Sequence, residues 1–117
     1  MKLVAQKKGK VIVAKVEGRL DSAVAAEFET AIMEVVKNGA KQVVVDFHDV
    51  SYIASAGLRV LLMAAKQLKA GGGVIALCDM TPSIKEVFEV SGFDQILPIF
   101  EDQTSAVKSL KGERDVS

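Results

Sequence analysis

Short apolar runs bounded by turn residues predict the strands of this chain. Lys8-Gly9 is typical of a tight turn between two antiparallel strands. Pro98 places the last strand at a sheet edge, because proline has no N–H to donate to a strand ladder. Two of the runs are apolar without interruption, which is typical of parallel strands covered on both faces. The predicted strands cover residues 3–5, 11–16, 43–47, 74–78 and 95–100.

Apolar residues at helical spacing predict four helices. Asp21 or Ser22 is expected to cap the first helix. Thr81 is expected to cap the third, with Pro82 at its first position and Gly92 at its end. The predicted helices cover residues 21–37, 56–70, 81–91 and 102–110. The core-facing side chains are expected to be Val24, Phe28, Ala31, Ile32, Val35, Leu58, Leu61, Leu62, Ala65, Leu68, Ile84, Val87 and Phe88.

The order of these elements, β-β-α-β-α-β-α-β-α, predicts the fold class. A strand, a helix and a strand in succession require a parallel pair with a right-handed crossover, and the first hairpin adds an antiparallel strand. We therefore predict a small α/β fold, with a mixed, mostly parallel sheet of four to five strands packed with about four α-helices. Residues 1–117 are expected to form a single domain, with a flexible tail over about 111–117.

Composition narrows the class of protein. The chain has 117 residues, of which 50% are hydrophobic and 26% charged, as expected for a globular rather than a disordered protein. Its 15 basic and 15 acidic residues cancel, which argues against direct nucleic-acid binding. No apolar run approaches the ~20 residues that span a bilayer, and the first residues lack the apolar stretch of a signal peptide. We therefore expect a soluble, cytoplasmic protein without membrane insertion.

The chain carries few side chains suited to catalysis. The single histidine, His48, lies near Asp46 and Asp49, but no second histidine and no cysteine pair complete a transition-metal shell, so we predict no metal site. The glycine run 71–73 follows a helix and precedes a strand, which reverses the order of a phosphate-binding loop. Cys78 is expected to be a buried, small apolar residue. We predict that the protein is not an enzyme and needs no cofactor.

A functional site is expected beyond the carboxyl ends of the parallel strands, where open α/β sheets place their functional loops. Three segments qualify, at residues 18–21, 51–58 and 79–83. The second of them joins a strand to a helix and places Ser55 at or near the helix N-cap. The local pattern alone favours a capping role for Ser55, since serine is among the commonest N-cap residues.

The segment Ala54-Ser55-Ala56-Gly57-Leu58 resembles the signature of the STAS domain. This family comprises bacterial anti-sigma-factor antagonists and the tails of sulfate transporters. The segment at residues 18–21 is similar to the family's entry into its first helix. Residues 82–88 and 91–93 resemble the family's third helix and its end. The resemblance covers nearly the whole chain with its spacing preserved, and it implies a STAS-type α/β fold.

The resemblance also implies a switch. In this family an unphosphorylated antagonist binds a kinase-type anti-sigma factor and so frees a sigma factor. The serine kinase then phosphorylates the antagonist at this helix start, the complex dissociates, and a cognate phosphatase resets it. Ser55 is the matching residue, the ATP and Mg²⁺ belong to the partner kinase, and the antagonist is expected as a monomer or weak dimer. The implied partner-binding or site-lining residues are Asp21, Ser22, Ala54, Ala56, Gly57, Leu58, Arg59, Val60, Met63 and Thr81.

Two features leave alternatives open. Ala54 stands where many phosphorylated members carry aspartate. The alternative function is therefore a non-switching accessory or scaffold subunit, for example of a lipid-transport or stress-signalling complex. Val60, Met63 and Ala64 lie off the predicted core stripe of the second helix and are still apolar. They indicate either a helix packed on two sides or a partner-binding face beside Ser55.

Overall fold

Strands and helices alternate along residues 1–111, the part of the chain that the computed structural model describes. The strands are β1 (Lys2–Lys8), β2 (Val11–Leu20), β3 (Gln42–Ile53), β4 (Val74–Cys78) and β5 (Ile99–Phe100). The helices are α1 (Ala25–Lys37), α2 (Ser55–Ala70), α3 (Pro82–Ser91) and α4 (Gln103–Lys111), with a short 3-10 helix at Phe93–Gln95. Within this stretch, none of the helices combines the length and apolar character needed to cross a membrane.

The strands form one sheet in the spatial order β1-β2-β3-β4-β5. β1 pairs with β2 in the antiparallel direction, and the three remaining pairs of neighbours are parallel. This confirms the predicted mixed, mostly parallel α/β fold. β5 is an edge strand that begins directly after Pro98, which agrees with the position expected for a strand next to proline.

The two faces of the sheet are covered by different helices. Neighbouring residues of a strand point to opposite faces. Val43 and Val45 therefore pack in the core beneath α1, α2 and α3, whereas Val44 packs in the smaller core beneath α4. The side-chain amide of Gln103 donates a hydrogen bond of 2.7 Å to the buried carboxylate of Asp46, which fixes the start of α4 on the sheet.

β2 and β3 continue beyond their predicted ends at residues 16 and 47. They stay paired as far as Leu20 opposite Ile53, across two shifts of register. Residues 48, 49, 51 and 52 are exposed, although they belong to β3. The predicted strands were too short because the apolar run stops where the strand is buried on one face only.

α1 begins at Ala25, later than the predicted start at Asp21. The Asp21 carboxylate accepts hydrogen bonds from the N–H groups of Ala23 and Val24, at 3.1 and 3.3 Å. It thereby closes a turn ahead of the helix. The predicted cap at Asp21 or Ser22 is therefore wrong, since the N-cap is Val24, which makes no side-chain hydrogen bond.

The ends of α3 agree with the prediction. Thr81 Oγ1 accepts a hydrogen bond of 3.3 Å from the N–H of Ile84, and Pro82 is the first helical residue. Gly92 follows the last turn with a left-handed φ of 79°. Such a conformation favours glycine, because a Cβ would be strained there.

The first and last described residues lie at opposite ends of the parallel strands. Met1 Cα is 3.5 Å from the place that a Cβ on Gly18 would take, in the carboxyl-terminal half of β2. Lys111 Cε is 3.4 Å from the corresponding place at Gly9, in the hairpin between β1 and β2. Lys111 is the last residue of α4. Residues 112–117, the rest of the predicted tail, lie outside the described residues.

Candidate functional site at the end of the parallel strands

The first two predicted loop segments meet at the carboxyl ends of β2 and β3. The N–H of Ala54 donates a hydrogen bond of 3.0 Å to the carbonyl oxygen of Leu20, which joins the start of α2 to the end of β2. Residues 18–21 and 52–59 form this surface, which we name the Ser55 end. The third segment is not brought to the same level, because β4 stops at Cys78, opposite Asp46, while β3 continues to residue 53.

Gly57 sets the distance between α2 and β2. A Cβ at this buried position would lie 2.9 Å from the carbonyl oxygen of Leu20 and 3.0 Å from Cγ1 of Ile53. Side chains do not tolerate so short a distance to a backbone oxygen, so glycine is what allows α2 to begin this close to β2. The close backbone approach expected from Gly57 is therefore made within the protein's own fold.

Ser55 is the first residue of α2 and is exposed. The N-cap is Ala54, with extended φ and ψ of −105° and 172°, so the capping role weighed for Ser55 is wrong. Alanine offers no side-chain acceptor to the first N–H groups of the helix, and no acidic residue lies in the first turn. The positive end of the helix dipole at Ser55 is therefore not offset by a cap or by a carboxylate of the first turn.

Arg19 and Tyr52 form a contact that the sequence pattern did not predict. They are register partners on β2 and β3, and Arg19 Cζ lies 4.4 Å from the centre of the Tyr52 ring. Arg19 Nε also lies 3.5 Å from Oδ2 of Asp21. This cation–π contact depends on β3 continuing through Tyr52, a segment interpreted from the sequence as a loop. An aromatic ring and an ion pair thus lie at the surface of the Ser55 end.

The remaining predicted site residues on α2 divide into surface and core. Arg59 is exposed, and Ala56 and Met63 are half-buried. Leu58, Val60 and Ala64 are buried in the main core, so none of them is a contact surface in this conformation. For Val60 and Ala64 the interpretation as a helix packed on two sides therefore holds. They support the site from beneath.

The residues first weighed as metal ligands are separated by burial. Both carboxylate oxygens of Asp46 accept hydrogen bonds, from the His48 N–H at 2.8 Å and from the Gln103 amide. His48 is exposed. Cys78 is buried, as predicted, and burial together with the carboxylates of Asp46 and Asp79 raises the pKa of its thiol to about 12. A thiol with such a pKa stays protonated near neutral pH and is a poor metal ligand.

Comparison with known proteins identifies the family. The STAS domain profile matches residues 2–106, which is most of the chain. The chain therefore belongs to the STAS domain family, as the resemblance of residues 54–58 indicated.

Relatives and solved structures agree with this assignment. The Bordetella bronchiseptica protein BtrV, named as an anti-sigma factor antagonist, is 39% identical over 111 residues, which cover 95% of this chain and 96% of that protein. The crystal structure of an anti-sigma factor antagonist from Mycobacterium paratuberculosis superposes with a TM-score of 0.88 at 22% identity, covering 94% of this chain and 93% of that one. The phosphorylated form of Bacillus SpoIIAA has a TM-score of 0.68 at 20% identity, covering 92% and 98%. These two structures share the fold.

Proposed function

We propose that this protein is an anti-sigma-factor antagonist that binds an anti-sigma factor through its Ser55 end and so releases a sigma factor. The observation that carries the proposal is the exposed position of Ser55 at the start of α2, ahead of a helix that has no side-chain cap. The name of BtrV, a relative that matches almost the whole chain, supports the same activity. In this role the protein acts by binding and performs no chemistry of its own.

We further propose that the bound anti-sigma factor is a serine kinase that phosphorylates Ser55. The kinase supplies ATP and Mg²⁺. The Ser55 Oγ–H bond breaks and an Oγ–P bond forms, ADP leaves, and the proton passes to the kinase. A phosphatase reverses the modification by hydrolysis. Exposure of Ser55 is what gives both enzymes access to the hydroxyl group.

The modification is expected to act on binding and to leave the fold intact. A phosphate at Ser55 adds about −1.5 to −2 charges next to the positive end of the α2 dipole, where anions are stabilised. The same dianion would lie within the docking surface, where burial against a partner would strip its water. The phosphorylated form of SpoIIAA keeps the shared architecture, which supports this division.

Ala54 favours a second candidate function, a non-switching STAS accessory subunit. An aspartate at this N-cap would place a carboxylate beside the serine hydroxyl group, and alanine provides neither its charge nor its hydrogen bonds. If the kinase needs that carboxylate, the Ser55 end still binds a partner but never becomes phosphorylated. The two functions differ only in whether Ser55 accepts a phosphate.

Phosphorylation by a cognate kinase tests the proposal. The purified protein is incubated with ATP, Mg²⁺ and a kinase-type anti-sigma factor encoded near its gene, and phosphopeptides are mapped by mass spectrometry. We expect phosphate on Ser55, its loss in Ser55→Ala, and its retention in Ser51→Ala, since Ser51 is an exposed serine on the neighbouring β3. Binding without phosphorylation would establish the accessory function, and phosphorylation of Ala54→Asp alone would assign the block to Ala54. Failure to bind any such factor would contradict both candidates.

A further inference from the structure

A cavity of about 600 Å³ opens at the amino-terminal end of the parallel strands, opposite the Ser55 end. It lies between the β1–β2 hairpin, represented by Gly9, and residues 38–42, which connect α1 to β3. Small-molecule sites in proteins are concave and enclose roughly 300–1,000 Å³. The cavity therefore has the size of a ligand site, and neither the proposed docking surface nor Ser55 is part of it.

The charges around this cavity have one sign. Lys7, Lys10 and Lys41 line it, and no acidic residue is found among its lining residues within the described chain. Lys41 Nζ is held in place by a hydrogen bond of 2.7 Å to the carbonyl oxygen of Gly71. Lys111 adds a fourth ammonium group beside the hairpin, next to Gly9. Lysines concentrated without a carboxylate favour an anion through their summed field.

The walls of the cavity are apolar. Ala5 and Ile12 approach from the hairpin, Val35 from α1, and Ala40 from the connection to β3. Asn38 and Gln42 add neutral hydrogen-bonding groups. Inorganic phosphate would leave these walls in contact with water, and a neutral hydrocarbon would leave the lysines without a counter-charge. The lining fits a molecule that carries both an apolar part and an anionic group.

We propose that this cavity binds a small organic anion in which a carboxylate or phosphate group is attached to a short alkyl chain or ring. The apolar body lies against Ile12 and Val35, and the anionic group faces Lys7 and Lys10 at the rim. Such a ligand leaves the Ser55 end open. The site does not rest on the role of Ser55 in partner binding.

Titration of the ¹⁵N-labelled full chain followed by NMR tests the site, with octanoate and octyl phosphate as probes. We expect saturable shifts of the Gly9, Gly39 and Lys41 amides, with an affinity that falls as NaCl is added. The relative affinities of the two probes distinguish a carboxylate from a phosphate ligand. Equal binding of octanol would overturn the role of the lysines. Equal binding of inorganic phosphate would overturn the role of the apolar walls, and absence of shifts would remove the site.

Matched variants locate the binding. The double variant Lys7→Gln, Lys10→Gln should weaken binding about tenfold, since each exposed ion pair contributes roughly two- to fivefold. Lys85→Gln, which removes an exposed charge on α3 away from the cavity, should leave the affinity unchanged. Ala5→Phe should fill the cavity and abolish binding, with circular dichroism confirming the fold. Equal effects of the double variant and Lys85→Gln would show a general charge effect and overturn the proposal.

Discussion

The two ends of the parallel strands differ in how their charges are arranged. At the Ser55 end the charges have both signs and are paired, with Arg19 lying between Asp21 and the Tyr52 ring. At the opposite end, Lys7, Lys10 and Lys41 surround a cavity without a carboxylate in its lining among the described residues. The formal net charge of zero is the sum over the whole chain and describes neither end. A balanced composition therefore argues against a uniformly basic protein and leaves room for a locally basic site.

The largest expected difference between the two ends is in packing. Gly57→Ala should lower the free energy of unfolding by about 2 kcal/mol, because the added Cβ meets the Leu20 carbonyl oxygen at 2.9 Å. Gly71→Ala, near the lysine end, should change it by less than ~0.5 kcal/mol, because its Cβ meets only the flexible tip of Lys41 at 3.3 Å. Urea denaturation measures both values. Equal losses would show that Gly57 is not a specific packing constraint.

The next effect concerns partner binding and separates the two ends by function. Ser55→Glu should weaken binding of the anti-sigma factor about tenfold, which is ~1.4 kcal/mol, because it places a charge in the docking surface. Lys10→Gln changes a charge at the far end and should leave that affinity unchanged. Titration calorimetry measures the affinities, and a melting curve of each variant controls for the fold. An unchanged affinity for Ser55→Glu would refute the proposed docking surface.

A smaller effect is expected at the uncapped start of α2. Ala54→Asp should stabilise the protein by about 1 kcal/mol, since the carboxylate would accept from the first N–H groups and offset the helix dipole. Ala54→Asn supplies a cap without the charge and should recover most of this gain. Differential scanning calorimetry measures the change in Tm. A lower Tm for both variants would mean that the first N–H groups of α2 are already satisfied in solution.

The smallest effect lies in the interior between the ends, at Cys78. Burial raises the pKa of this thiol from 9.0 to about 12, so the folded state keeps a proton that the unfolded state loses above about pH 9. The resulting stability is complete at lower pH and declines as the pH rises. Between pH 7 and about pH 9.5 the loss should be ~0.8 kcal/mol. Cys78→Ala should lose less stability over the same interval in urea denaturation, and an identical loss would contradict the shift.

The fold could be predicted where a strand is buried on both faces. β4 has the predicted bounds, because its apolar run is continuous and helices cover both of its faces. β3 was predicted only to residue 47, because its later residues alternate between the core and an exposed face. The predicted final strand shortened to Ile99–Phe100 for a related reason, since residues 93–95 form a 3-10 helix at the sheet edge. Periodicity records burial, and it loses a strand where burial becomes one-sided.

The candidate site could be predicted only in part. The position of Ser55 at a helix start followed from local pattern and from the STAS resemblance. The contact between Arg19 and Tyr52 depends on a register with two shifts, which no local pattern specifies. The lysine cavity joins the hairpin to residues 38–42, which are distant in sequence. Such contacts follow from tertiary packing, so they could not be read from periodicity.

The placement of the first and last described residues determines how this protein should be attached to a surface or a tag. Met1 lies beside Gly18, so a label at the amino terminus crowds the Ser55 end. Lys111 lies beside Gly9, so an attachment beyond α4 crowds the cavity instead. Immobilising the protein in each orientation would therefore mask one end at a time. A binding assay performed in both orientations separates the two surfaces without any substitution.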